Sequence, residues 1–424
     1  MRLASVFTRS SLTLAVACGA VLAQDQAATT TTSSQLVITT TDSRVASGVQ
    51  RMFGGAGGAP AAIGEGMALV MSLDDGGKLA TREAAGEAWL VIEAKPAFLM
   101  KTFGKQVRQA RMTAGMMGGM ALAQAGIEAE AIDEVMDALF EFPNQVETLT
   151  VTIPRKYEAK ESMAIAVGLA PKAETWFAGL VASLKPHDQG LRRLHGHDAM
   201  MTADFDLDFA AIYPSLEPMV AKFTTFMVRD EALRAKVGPM LDRFYKGVSG
   251  PGSMSMDFEN GMQFIMELCD PDAVAQVMAD PAYAEYGKVA SEMAGGVADV
   301  TPNALTHRDV AVTKTVVELD DPGNNPFAKD GKTVTMAAIS GGAMLMTSFG
   351  DAEAGIKSLI DLALDGKLAR APLGKLMTAH IDVGRFMAFI SEQMGGPPSD
   401  DAPDSIDVSL AKNVNGLRIE VNVK

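Results

Sequence analysis

The chain predicts an α+β fold: a mostly antiparallel sheet built from β-hairpins, helices packed on one face, and two pseudo-repeated halves. Three observations carry this. Short segments alternate apolar and polar residues around Asn-Gly and Gly-Gly turns, as in "SMSMDFENGMQFIMEL" and "IDVSLAKNVNGLRIEVNVK". Segments of helical period lie between them, among them "PKAETWFAGLVASLK" and "DAEAGIKSLIDLAL". The heptads "MTADFDL" (201–207) and "MTAHIDV" (377–383) occupy matching places in two runs of strand pair, helix, strand, helix, strand pair, over about 148–269 and 332–424.

The first 23 residues read as an export signal, with Arg2 and Arg9 ahead of the apolar Leu12 to Leu22 and Val21-Leu22-Ala23 at the cleavage position. Lipidation at Cys18 is the competing reading, but Ala15-Val16-Ala17 matches a lipobox poorly and the apolar run continues past the cysteine. Cleavage after Ala23 removes two arginines and no acid, taking the formal charge of −15 to about −17. Residues 24–65 contain "QDQAATTTTSSQ" and "GGAGGAPAAIGEG", too polar and too simple to order themselves, with "QLVITTTDSRV" between them read as either a short strand or a disordered stretch, so a single body is expected over 66–424. A looser third copy of the strand–helix pattern, "AWLVIEAKPAFLMKTF", begins at Ala88, with Pro96 suited to a first helical turn. No segment after the signal is long and apolar enough for a transmembrane helix. Cys269 is then the only cysteine, so no internal disulfide is possible; the thiol is expected to be buried and inert at the end of "MQFIMELC".

Hairpin register follows from keeping apolar residues on one face. A three-residue loop Glu259-Asn260-Gly261, with Gly261 left-handed, aligns Phe258 with Met262, Met256 with Phe264 and Met254 with Met266. A two-residue Asn415-Gly416 turn aligns Leu410 with Val421 and Val408 with Val423. The opposite faces carry Ser255, Asp257, Gln263 and Glu267, and Asp407, Ser409, Arg418, Glu420 and Asn422, and are expected to meet water.

Candidate chemistry is sparse. "RMTAGMMGGM" places Met112, Met116 and Met120 on one helical stripe beside Met117; the readings are core packing, an adaptable apolar ligand surface, or a soft-metal site. "HGHD" offers His195, His197 and Asp198, with His187 upstream, as metal ligands, since i and i+2 share a strand face; a surface turn is the plainer reading. The acids of "DFDLD" lack the glycine and terminal glutamate of a calcium hand, and Asp208 suits a helix cap. "ISGGA" reads as a hairpin turn rather than an oxyanion loop, and no G-x-S-x-G, Walker or dinucleotide motif occurs, so no cofactor is expected.

The acidic charge argues against nucleic acid. These features together point to an exported, non-enzymatic protein, periplasmic or extracellular, that binds an envelope or extracellular partner through its surface. The alternative is a carrier of a lipid or other hydrophobic ligand between sheet and helices. A metal-dependent enzyme centred on "HGHD" comes third.

Overall fold

The computed structural model describes residues 36–42, 45, 67–72, 78–83, 88–102, 141–154, 163–187, 191–194, 199–257, 261–293, 296–319, 330–368, 370–394 and 403–424. Alternating segments form strands and segments of helical period form helices. Strands β1 (Leu36–Thr40), β2 (Met67–Ser72), β3 (Lys78–Glu83) and β4 (Leu90–Ala94) precede helix α1 (Pro96–Thr102). Proline suits that first position because the N–H it lacks has no partner there. Then come β5 (Val146–Ile153), β6 (Met163–Pro171), α2 (Trp176–Ser183), β7 (Leu191–Arg192), β8 (Met201–Phe205), α3 (Phe209–Met227) and α4 (Glu231–Gly247). The hairpin β9 (Val248–Asp257) and β10 (Gly261–Leu268) leads to α5 (Pro271–Ala279), α6 (Pro281–Met293), β11 (Gly296–His307) and β12 (Val310–Leu319). The rest is β13 (Lys332–Ser340), β14 (Ala343–Ser348), α7 (Ala352–Leu364), β15 (Arg370–Ala371), β16 (Met377–Asp382), α8 (Val383–Met394), β17 (Ser405–Asn413) and β18 (Gly416–Val423).

Several helices start on an aspartate. Asp208, Asp230, Asp270 and Asp351 accept the N–H of Ala211, Leu233, Ala273 and Ala354, satisfying a donor that the first turn leaves unbonded. Among the described residues no helix is long and apolar enough to cross a membrane.

The expected α+β class, dominated by antiparallel sheet, is what forms. The chain divides into two compact units: described residues up to Val181 with Leu410–Lys424, and those from Ala182 to Ser409. In the first unit the strand order is β18-β6-β5-β4-β1-β2-β3. Its core is Leu36, Ile38, Ala94 and Val151, with Phe98 and Leu99 of α1 packed against it. In the second unit the order is β11-β12-β13-β14-β10-β9-β8-β16, and β7 and β15 form a separate two-stranded ribbon. Each unit draws strands from both stretches of the sequence pattern: β14 pairs with β10 in the second unit, and β6 with β18 in the first.

Both hairpin turns lie elsewhere than expected, for the same reason. Gly261 is left-handed as expected, with φ of 76°. It stands inside β10 opposite Asp257, so Met256 faces Met262 and Met254 faces Phe264. Residues 258–260, including the expected partner Phe258, lie outside the described residues. In the other hairpin the strands leave Val414-Asn415 between them, not Asn415-Gly416. A Cβ on Gly261 would lie 2.5 Å from the Ser348 carbonyl oxygen, and one on Gly416 would lie 2.0 Å from that of Leu169. Each glycine is therefore required by a third strand, β14 or β6, and is drawn from the turn into the ladder. The two-residue shift in the first hairpin leaves its side chains on their expected faces.

The larger correction concerns which face is buried. The polar face of the second unit's sheet does not open to water. Ser253, Ser255, Ile265, Glu267, Leu345 and Thr347 on that face are all buried. Helix α7 covers its outer part, Ile356, Leu359 and Ile360 packing on Ile265, Met336, Ala338, Ala343 and Leu345. Cys269 is also corrected: β10 ends at Leu268 and the thiol is exposed, donating to the Lys246 carbonyl at 3.2 Å.

Candidate functional site

Residues directly opposite one another in an antiparallel ladder share a face, and every second residue returns to it. Applied to six adjacent strands, β16-β8-β9-β10-β14-β13, the pairings give three rows on one face. The first is Met377, Phe205, Gly252, Met266, Met344 and Ile339. The second is Ala379, Ala203, Met254, Phe264, Met346 and Ala337, and the third Ile381, Met201, Met256, Met262, Ser348 and Thr335. The rows carry eight methionines and two phenylalanines. Of these positions only Gly252, Met256 and Ser348 are buried, and the rest are half-buried.

Two local features shape the surface. Gly252 sits under the Phe205 ring: a Cβ there would lie 2.4 Å from two ring carbons. Phe205 thereby stacks beside Phe264, centroids 6.0 Å apart. The two hydroxyls in the rows, Thr335 Oγ1 and Ser348 Oγ, bond each other at 2.7 Å. At one end the face runs under helices, where Phe209 of α3, Phe244 of α4 and Val274 and Met278 of α5 pack with Met266, Ile339 and Met344. Phe209, Tyr213 and Tyr245 stack pairwise and hold α3 to α4. Burial, reinforced by the bond its hydroxyl donates to Asp242, raises the Tyr213 pKa well above the usual phenol range.

The opposite face carries the unit's buried charges, beneath the β7–β15 ribbon. Arg192 Nε lies 2.9 Å from Glu267 Oε1, and Arg370 Nη2 lies 2.8 Å from Oε2. Arg192 also donates to the Gly341 carbonyl, and burial pushes the Glu267 carboxyl above its ordinary value despite both arginines. Beside this, Asp204 receives Arg193 Nε at 2.9 Å and the Ser253 hydroxyl at 2.6 Å. Asp206 is 1 % exposed and accepts backbone N–H groups of His187 and Leu373. Asp208 caps α3 and pairs with Lys185 at 2.8 Å. Each acid of "DFDLD" thus has protein partners of its own, which accounts for the run without calcium.

Of the residues proposed from sequence, Met112, Met116, Met117, Met120, His195, His197 and Asp198 lie outside the described residues. His187 is half-buried. Among the described residues no group of three or more His, Cys, Asp or Glu is placed to hold a metal ion. The methionine face was visible in sequence only in fragments, as "SMSM", "MQFIM" and "AMLM". The signal that could have found it is alternating methionine on several separate strands, rather than methionine density in one stretch. Comparison with known proteins finds no family model, no curated protein and no solved structure that matches this chain.

Proposed function

We propose that this is an exported, non-catalytic binding protein that holds an acyl chain against the methionine face of its second unit. The observation that supports the reading is the set of three rows, rich in methionine and phenylalanine and mostly half-buried, whose two hydroxyls, on Thr335 and Ser348, bond each other. Methionine has three rotatable bonds and a polarisable sulfur, and moulds itself to flexible apolar partners. A peptide laid there would lose water from its N–H and C=O groups without replacement bonds. A hydrocarbon chain has no such groups to satisfy.

The dimensions agree. Six strands at a spacing of about 4.8 Å cover about 24 Å, more than the roughly 15 Å that the chains of one bilayer leaflet occupy. Burial contributes about 0.8 kcal/mol per methylene, so ten methylenes supply roughly 8 kcal/mol before ordering costs. The second reading, a protein partner, rests on β11, the outermost strand of its unit, where Val297 is 59 % exposed. Pro302 and the register break between Thr301 and Leu305 make that edge a poor template for strand addition.

The test is a titration of the mature protein with an environment-sensitive fluorescent fatty acid, repeated on the double variant M254E/M346E. Saturable binding that an unlabelled fatty acid displaces, and that falls about tenfold or more in the variant, is expected. No saturable binding, or equal binding by a variant that unfolds like the parent, overturns the reading.

A further inference from the structure

We infer that the methionine face is also a modification site, where a hydroperoxide converts thioethers to sulfoxides and the oxidised face releases its apolar ligand. The release step rests on the acyl-chain reading above; the modification site does not.

The first unit supplies the contrast. Its apolar sheet face has rows Leu417, Leu169, Leu149, Ala94, Leu36 and Ile419, Val167, Val151, Ile92, Ile38. Those ten central positions hold no methionine, although the same face carries Met163 opposite Val423 where β6 begins. Leucine, valine and isoleucine therefore suffice to pack such a face here, and β-branched residues are what strands favour. Methionine in the second unit adds two properties that these residues lack, flexibility and an oxidisable sulfur.

Placement leaves these sulfurs more accessible than the sealed methionines of the same unit, though less so than Met219 of α3, which is 52 % exposed. Met254, Met262, Met266, Met344 and Met346 are half-buried, whereas Met200, Met240 and Met336 elsewhere in the same unit are 0 %, 3 % and 3 % exposed. In the reaction the thioether sulfur attacks one peroxide oxygen. An S–O bond forms and the O–O bond breaks; sulfur loses two electrons, and with proton transfer the other oxygen leaves as the alcohol, or as water when the oxidant is hydrogen peroxide. Each event places a strong acceptor on a face whose two hydroxyls are already bonded to each other. A hydrocarbon in contact with it would bury that acceptor unpaired.

The experiment treats the mature protein with graded hydrogen peroxide, maps sulfoxides by peptide mass spectrometry, and titrates each sample with the fluorescent fatty acid. Expected is oxidation of Met254, Met262, Met266, Met344 and Met346 about tenfold faster than Met200, Met240 and Met336, with probe affinity falling in step. The variant M254L/M262L/M266L/M344L/M346L, which leaves Met201, Met256 and Met377 on the face, should bind the probe when untreated and lose less affinity after peroxide than the parent. Equal oxidation rates at face and sealed methionines overturn the modification site, whatever the probe does. Undiminished affinity of a fully oxidised face overturns the release. A lack of probe binding before any peroxide overturns the acyl-chain reading and the release with it, while the rate contrast still decides the modification site.

Discussion

Arg192 faces Arg370 across the β7–β15 ribbon, two like charges in direct cross-strand register, and the buried Glu267 carboxylate lies against both. Like charges placed opposite each other destabilise a strand pair, so the ribbon depends on the acid beneath it. Removing one partner of a buried ion pair strands the rest and costs about 3–5 kcal/mol. E267A is expected to lose stability in that range in urea unfolding, and E267Q less, since an amide still accepts hydrogen bonds. A loss below about 1 kcal/mol for E267A would mean that the arginines simply turn to water.

The same carboxyl gives a pH dependence of defined sign. Burial raises the Glu267 pKa in the folded protein above its ordinary value of 4.5. A raised folded pKa contributes stability that is fully present below the unfolded value and is lost as pH rises through the folded value. Relative to E267Q, the parent should therefore gain stability as pH is lowered through that window. Unfolding free energies of both proteins, measured between neutrality and mild acid, check this; the opposite trend would place the carboxylate in a favourable rather than a desolvated setting.

Gly252 and Phe205 form a second coupled pair. A Cβ at Gly252 would meet the Phe205 ring at 2.4 Å and the Ile265 carbonyl oxygen at 2.9 Å, and backbone oxygen cannot step aside. G252A is expected to cost about 1–3 kcal/mol, partly relieved in G252A/F205A because the ring no longer competes for the space. A double-mutant cycle measures the coupling, and strict additivity would refute it.

The β11–β12 turn is pinned to α7 by charge. His307 Nε2 lies 2.9 Å from Asp361 Oδ1, and Arg308 Nη1 reaches Asp361 at 3.1 Å and Asp365 at 2.8 Å. Hydrogen bonds from His307 and Arg308 lower the Asp361 pKa, and those from Arg308 and Lys367 lower that of Asp365. Depressed values mean that the clamp is present above the ordinary carboxylate range and is lost as pH falls through the folded values. D361A should raise amide exchange around Thr306 to Val310 while leaving global unfolding nearly unchanged, and acid below the ordinary carboxylate range should do the same to the parent. Unaltered exchange in D361A would show that the ribbon holds the turn without the clamp.

Much of the local structure is legible in the chain. The aspartates at 208, 230, 270 and 351 cap helices where each precedes a helical pattern, and Pro96 opens α1. Alternation correctly sorted Met254, Met256, Phe264 and Met266 onto one side of a sheet and Ser255, Asp257, Gln263 and Glu267 onto the other. The turns were displaced because Gly261 and Gly416 answer to a neighbouring strand as well as to their own hairpin. The candidate site was sought in a local cluster of methionines, whereas the face drawn from the pairings collects residues from Met201 to Ile381.

By itself the sequence determined the α+β class, the hairpins, the helix starts and the side of each strand on which a residue stands, because these follow from backbone periodicity and near-neighbour hydrogen bonding. Tertiary structure alone decided what lies on each side. Helix α7, next in sequence to β14, and the β7–β15 ribbon, whose two strands come from distant parts of the chain, settle on the polar face, where Ser253 and Arg193 bond Asp204 and Arg192 and Arg370 lie against Glu267. Once those groups are paired they can be buried, and the methionines on the other side are left half-covered. Alternation carries no information about that choice, since it fixes which residues share a face and not what packs against it.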